Sequence, residues 1–386
     1  MTEWIECTLD KLGEIVGGAT PSTKCEDYYG GSIPWITPKD LSSFKGRYIT
    51  SGERNITEKG LASCSAQMMP KDAVLFTSRA PIGYVAIASQ SVCTNQGFKS
   101  IVVNEKADPL FVYYLLKYNK DAIEAMGSGT TFKEVSGKTM RAVKVRIPLD
   151  VSYQKRIAAV LDSLDTKIEN NERINDNLQQ QAAALFSSLY DQSNTEVRFT
   201  DLIQILGGGT PKTGENTYWN GNIAFFTPKD VGIPYTLITE KTISKEGLSH
   251  CNSRLYPVNT VFVTARGTVG KVGMSGVPMA MNQSCYALVG KETHQLLVYF
   301  YTLKAVDRLK HKASGAVFDA ITTRDFESEQ IMKLSDDDAT AFLRVAEPMF
   351  QEVLNNNIEN LRLSTLRDSL LPKLMSGEID VSAVQL

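Results

Sequence analysis

The chain repeats itself, and that constrains its fold more than any other feature. Gly17-Gly18-Ala19-Thr20-Pro21 returns 190 residues later as Gly207-Gly208-Gly209-Thr210-Pro211. The same displacement carries Thr37-Pro38-Lys39-Asp40 onto Thr227-Pro228-Lys229-Asp230, and Trp35 onto Phe225. Further on the displacement is 187: Gly60-Leu61 meets Gly247-Leu248, Pro70 meets Pro257, Thr77 and Arg79 meet Thr264 and Arg266, and Asn95-Gln96 meet Asn282-Gln283. Ser128-Gly129 and Phe132 then match Ser314-Gly315 and Phe318. Ordered matches with slips no larger than a surface loop mark two tandem modules, because solenoid repeats are far shorter, ~20–50 residues.

Within each module, short β-rich runs such as Ala73–Thr77, Tyr84–Ile87 and Val258–Val263 lie between Gly, Pro, Ser and Asn turn signals. A helical stretch from Leu110 to Glu124 has its partner near Gln295 to Lys310. Strands and helices in this order predict an α+β module.

A long helical segment follows each module. Between Tyr153 and Tyr190, apolar residues recur at Ile157, Leu161, Leu164, Ile168, Leu178, Ala182, Leu185 and Leu189, the alternating spacing of a coiled-coil seam. Asn171 and Asn175 interrupt it. Displaced by 185, the C-terminal segment shows Phe342, Ala346, Met349, Val353, Leu363, Leu370 and Leu374, with Asn356 and Asn360 at the matching breaks. A buried seam asparagine lowers stability but specifies register. A helix of about 38 residues is ~57 Å long, so a chain that builds its second module at the far end and then returns favours antiparallel packing. Pro348 predicts a kink in the second helix or a later start. The expected organisation is α+β: two tandem pseudo-repeated α/β domains, 1–150 and 193–335, separated by two long helices, 151–192 and 336–386 with its tail, packed as an antiparallel coiled coil.

Composition narrows the class. At 386 residues and net charge −2, with 42% apolar residues, the chain is of a size and make-up for a multi-domain globular protein. No apolar run approaches the ~18 residues of a membrane span, and the opening Met1–Glu6 is acidic, so a cytoplasmic protein without membrane contact is expected. The six cysteines show no C-x-x-C pair and the three histidines no clustering, which argues against a metal site. Ser136-Gly137-Lys138-Thr139 ends like a phosphate-binding loop, but Phe132 stands where the first glycine is required. No catalytic residue is assigned.

The residues resemble the specificity subunits of type I restriction-modification systems. The resemblance covers essentially the whole chain. It is carried by Gly-Gly-x-Thr-Pro followed by Thr-Pro-Lys-Asp in both modules, by Gln154-Lys155-Arg156-Ile157-Ala158-Ala159-Val160-Leu161-Asp162, and by Leu366-Arg367-Asp368-Ser369-Leu370-Leu371-Pro372-Lys373-Leu374-Met375-Ser376-Gly377. It implies two target recognition domains, each reading one half of a bipartite double-stranded DNA site, with the helices as a ruler. It also implies two methyltransferase subunits holding S-adenosylmethionine, and restriction subunits using ATP and Mg for translocation and cleavage; no cofactor is expected in this chain. The second helix opens Asp336-Asp337-Asp338-Ala339 without the Gln-Lys-Arg-Ile start of the first. A structural adaptor clamping two partners and a solitary two-domain DNA-modifying enzyme are the competing readings.

Phosphate contact positions a protein on DNA, and base edges carry sequence. Two modules that read different half-sites should share phosphate contacts and differ at base contacts. Among shared positions Thr20, Lys39 and Arg79, with Thr210, Lys229 and Arg266, are candidates for the backbone, Arg79 and Arg266 against the alternative of structural ion pairs. Among differing positions the candidates are Ser22, Thr23 and Lys24 against Lys212, Thr213 and Gly214, Ser78 and Tyr84 against Ala265 and Lys271, and Phe98-Lys99 against Cys285-Tyr286. Asn95-Gln96 and Asn282-Gln283 suit adenine but are shared, which favours structural amides equally. The basic run Lys138, Arg141, Lys144, Arg146 faces either phosphate or solvent. The register residues are Asn171, Asn175, Asn356 and Asn360.

Overall fold

A computed structural model of the chain describes residues 2–79, 81–129, 133–312 and 320–384. The repeat matches Phe132, Ser314, Gly315 and Phe318 lie outside the described residues. The chain divides into two compact units, residues 1–169 with 362–386, and residues 170–361. The units therefore do not end where the long helices begin; each includes a stretch of both.

The first unit contains β1 (Trp4–Thr8), β2 (Gly13–Gly17), β3 (Tyr29–Ile36), α1 (Pro38–Ser42), β4 (Tyr48–Ile49), β5 (Arg54–Ile56) and α2 (Glu58–Ala62). It continues through β6 (Val74–Ser78), β7 (Ile82–Ala88), β8 (Cys93–Thr94), β9 (Lys99–Val103), α3 (Pro109–Tyr118), α4 (Lys120–Ala125), α5 (Gly137–Arg141) and β10 (Lys144–Pro148) into α6 (Val151–Gln192). A five-stranded sheet runs β2-β9-β6-β7-β4, a three-stranded sheet β5-β3-β8, and β1 pairs with β10. Among its described residues only β4 on β7 and β8 on β3 are parallel.

The second unit contains β11 (Thr195–Arg198), α7 (Phe199–Leu202), β12 (Ile203–Gly207), β13 (Trp219–Phe226), β14 (Tyr235–Thr236), β15 (Lys241–Ile243) and α8 (Lys245–Ser249). After them come β16 (Val261–Thr264), β17 (Val272–Ser275), β18 (Met279–Met281), β19 (Cys285–Gly290), α9 (Gln295–Lys312), α10 (Thr323–Ser328), β20 (Gln330–Lys333) and α11 (Asp336–Ser376). Its sheets run β12-β19-β16-β17-β14, β15-β13-β18 and β11-β20, so the internal repeat is a repeat of topology.

The central strands are buried on both faces, and the period of two sorts their side chains between two cores. Val74 and Phe76 of β6 face α3 and the start of α6, while Leu75 joins a smaller core with Ile36, Ala86 and Phe98. In the second unit Val261 and Val263 face α9 and the long helices, and Phe262 packs with Phe226 and Met281.

In each unit the two long-helix stretches run antiparallel. Tyr153, Ile157 and Leu161 of α6 share the first core with Leu374 and Met375 of α11. In the second unit Phe186 of α6 meets Phe342 of α11 edge-on, ring centroids 5.5 Å apart. Asn175 Nδ2 donates to Asn357 Oδ1, and Asn356 Nδ2 donates to Asn175 Oδ1, each at 2.9 Å. Asn171 Nδ2 donates to Asn360 Oδ1 at 2.9 Å and to Glu359 Oε2 at 2.7 Å. Asp150 caps α6 through the Ser152 amide, and Ser335 caps α11 through the Asp338 amide. Three aspartates in the first turn of α11 favour its positive end. The later start expected from Pro348 does not occur: α11 runs from Asp336 through Pro348, which lies on an exposed face and has no amide to donate within the helix.

Equivalent core positions differ in chemistry. In the first unit Tyr114 Oη donates to buried Asp165 at 2.7 Å, and Arg367 Nη1 donates to the same carboxylate at 2.6 Å. In the second unit the matching positions hold Phe300, Phe350 and Ala182, with the two rings 5.5 Å apart. Buried Arg47 binds α6 through Asp162, Thr166 and Glu169. Burial would lower the Arg47 pKa, but the Glu169 hydrogen bond and the Asp162 charge outweigh it and hold it above its usual value.

Candidate nucleic-acid interface

In both modules the shared motifs are backbone-zipped into one loop cluster. The Ala19 amide donates to the Thr94 carbonyl, Asn95 to Ile36 and Ser78 to Gly97; Gly209 to Met281, Asn282 to Phe226 and Ala265 to Ser284 repeat the pattern. Gly18 and Gly208 are needed for the close approach, since a Cβ on either would lie 2.2 Å from a carbonyl oxygen. Thr37 and Thr227 donate through amide and hydroxyl to Asp40 and Asp230. The second oxygen of each aspartate accepts from the Glu53 or Glu240 amide, tying this cap to the next loop. Asn95 Oδ1 accepts from the Gly97 amide and Asn282 Oδ1 from the Ser284 amide, an Asx turn in both copies.

The candidate residues divide on this frame. Thr20 donates to Gln96 and Thr210 to Gln283, so these pairs bridge two loops of the cluster. Ser22, Thr23, Lys24, Lys212 and Thr213 are exposed beyond their buried prolines. Lys39 and Lys229 stand 78% and 80% exposed, open to a bound partner, and pair with Glu53 at 2.6 Å and Glu240 at 3.9 Å. Tyr84 and Tyr286 are half-buried against the cores, and Lys271 is exposed. The shared threonines Thr77 and Thr264 accept from the amides of Tyr84 and Lys271, so their recurrence is structural. Ser78 and Phe98 are corrections: both are fully buried, Ser78 bonded to the Gly97 carbonyl, because the ends of β6 and β9 are covered on both faces. Neither can reach a groove edge.

Arg79 and Arg266 occupy equivalent strand ends, bridged to Glu134 and Ala320. The Arg79 guanidinium is 3.8 Å from Glu134, which also lies 3.5 Å from Lys99. Among the described residues no carboxylate lies within ion-pair distance of Arg266. A groove of about 490 Å³ in the second unit gathers Thr227, Lys229, Lys241, Arg266, Thr268 and Asn282. Lys241 and its counterpart Arg54 escaped the sequence reading. Both sit over an aromatic ring, Lys241 5.6 Å from Trp219 and Arg54 5.4 Å from Tyr29. The displacement that aligns Gly60 with Gly247 also aligns this pair and was the available signal. Of the basic run, Arg146 is engaged by the fold, bonded to the Ser376 carbonyl and stacked on Trp4.

Burial pushes the thiols of Cys93 and Cys285 up to about 12, well away from thiolate chemistry. Among the described residues no group of three or more His, Cys, Asp or Glu is placed to hold a metal, and no helix is long and apolar enough to cross a membrane.

The type I restriction modification DNA specificity domain matches residues 1–180 and 192–333. The chain is 30% identical to the type I restriction enzyme MjaIX specificity subunit of Methanocaldococcus jannaschii, covering 98% of this chain and 94% of that one. The HindI specificity subunit of Haemophilus influenzae is 23% identical over 73% of this chain and 80% of its own. The crystal structure of a type I restriction-modification S subunit from M. genitalium shares the fold, with a TM-score of 0.64 at 16% identity over 97% of this chain and 96% of that one. With the motif loops duplicated on two matching units and the specificity domain matched twice, this chain belongs to the specificity subunits of type I restriction-modification systems.

Proposed function

We propose that the chain reads a bipartite double-stranded DNA target, each module recognising one half-site and the long helices setting the spacer between them. The observation that carries this reading is the loop cluster built twice on one scaffold, with shared cations and divergent exposed tips. Shared cations suit the uniform phosphate backbone, and divergent tips suit two different base sequences. The chain supplies recognition and leaves catalysis to its partners: two methyltransferase subunits that hold S-adenosylmethionine, and restriction subunits that use ATP and Mg, all in the cytoplasm. The commitment of the cluster's Thr, Asp and Asn side chains to loop geometry supports that division of labour.

The test mixes the purified chain with its methyltransferase subunits and labelled S-adenosylmethionine. Methylation of a bipartite sequence only in the mixture is expected. Methyl transfer by the chain alone would make it an enzyme. Exchange of one module for that of another specificity subunit should change one half-site and leave the other. An unchanged sequence after exchange would make the chain an adaptor.

A further inference from the structure

The two loop clusters match in backbone but not in charge. In the second module Lys229, Lys241 and Arg266 line one groove with Thr227 and Thr268, and among the described residues Glu240 is the one carboxylate that lines it. Glu240 stands 3.9 Å from Lys229, both side chains largely in solvent, where such a pair holds its partner weakly. In the first module the equivalent cations are Lys39, Arg54 and Arg79, but Glu134 takes the place of Ala320. That carboxylate faces Arg79 at 3.8 Å and Lys99 at 3.5 Å; Lys39 lies 2.6 Å from Glu53, both side chains again largely in solvent. A phosphate approaching Arg79 must compete with the Glu134 carboxylate that Arg79 shares with Lys99, whereas among the described residues no carboxylate lies within ion-pair distance of Arg266.

We propose that the Lys229–Lys241–Arg266 groove of the second module is the chain's stronger anchor for the DNA phosphate backbone, and that Glu134 quenches its counterpart in the first. The inference rests on the DNA-reading function proposed above. It predicts unequal dependence on salt, because each phosphate contact contributes about 0.9 to the slope of log affinity against log salt.

The experiment is a salt titration of duplex binding by the chain assembled with its methyltransferase subunits. Arg266→Ala and Lys241→Ala should each flatten the slope by about 0.9, so that affinity falls roughly threefold less than in the unaltered complex between ~50 and ~200 mM salt. Arg79→Ala should flatten it by less than half as much. Glu134→Gln should steepen it by freeing Arg79, and Ala320→Glu should flatten it by pairing Arg266. Melting temperatures identify any variant that loses its fold, and the two reciprocal substitutions then test the idea independently. Equal effects of Arg79→Ala and Arg266→Ala, or an unmoved slope in both Glu134→Gln and Ala320→Glu, would overturn the proposal. Methylation by the unaltered complex separates this from failure of the parent reading: a bipartite product with equal slopes defeats only the asymmetry.

Discussion

Gln154 shows how one side chain can decide what an equivalent position becomes. It is fully buried at the start of α6. Its Nε2 donates to the carbonyls of Pro148 at 2.9 Å and Lys106 at 3.2 Å, and its Oε1 accepts from the Asp108 amide at 2.9 Å. The second unit has Ala339 at this position, which reaches none of the matching groups, and a cleft of about 710 Å³ opens beside Thr293, His294 and Leu334. Gln154→Ala orphans three backbone groups and should lower stability by about 2–4 kcal/mol, read by urea unfolding. Ala339→Gln should raise the melting temperature of the second unit. No change in either variant would mean that water serves these groups equally well. The sequence singled out Gln154 as part of a motif, yet it could not say why the residue matters. Its partners lie in a loop nearly fifty positions earlier and at the end of β10.

At the scale of elements, the long helices were readable and their attachments were not. The apolar spacing and the recurring asparagines expose a seam because a helix repeats every few residues. Asp165 contradicts that pattern, and its compensation comes from Tyr114, 51 positions away, and Arg367, 202 positions away. The same limit applies to Ser78 and Phe98: strands buried on both faces lose the alternation that separates inside from outside. The second unit's Phe300, Phe350 and Ala182 show that an apolar solution fits this packing site. Arg367→Ala alone should therefore lower stability by about 3–5 kcal/mol, because it strips a buried carboxylate of its partner. The triple variant Tyr114→Phe, Asp165→Phe, Arg367→Ala, which copies the second unit, should recover most of that loss. Equal losses in single and triple variants would mean that the buried polar set stabilises the first unit outright.

For the whole molecule, the duplicated plan makes recognition and spacing separable. Each unit includes stretches of both long helices, so a module exchange cut at residue 150 would sever Arg47 from Asp162 and Glu169. Spacing is tested on the helices themselves. Seven residues inserted after Asn175 in α6 and seven before Asn356 in α11 flank the same hydrogen-bonded pair. They keep the seam in phase, since seven residues make two turns of a coiled coil. The helical path grows by ~10 Å at ~1.5 Å per residue, the rise of about three base pairs at ~3.4 Å each. The methylated sequence should keep both half-sites and gain about three base pairs between them, read from methylation positions across a genome. Insertion into one helix alone leaves seven residues with nothing to pack against and should lower the melting temperature instead. An unchanged spacer in the doubly extended chain would remove the helices from spacing while leaving two independent readers in place.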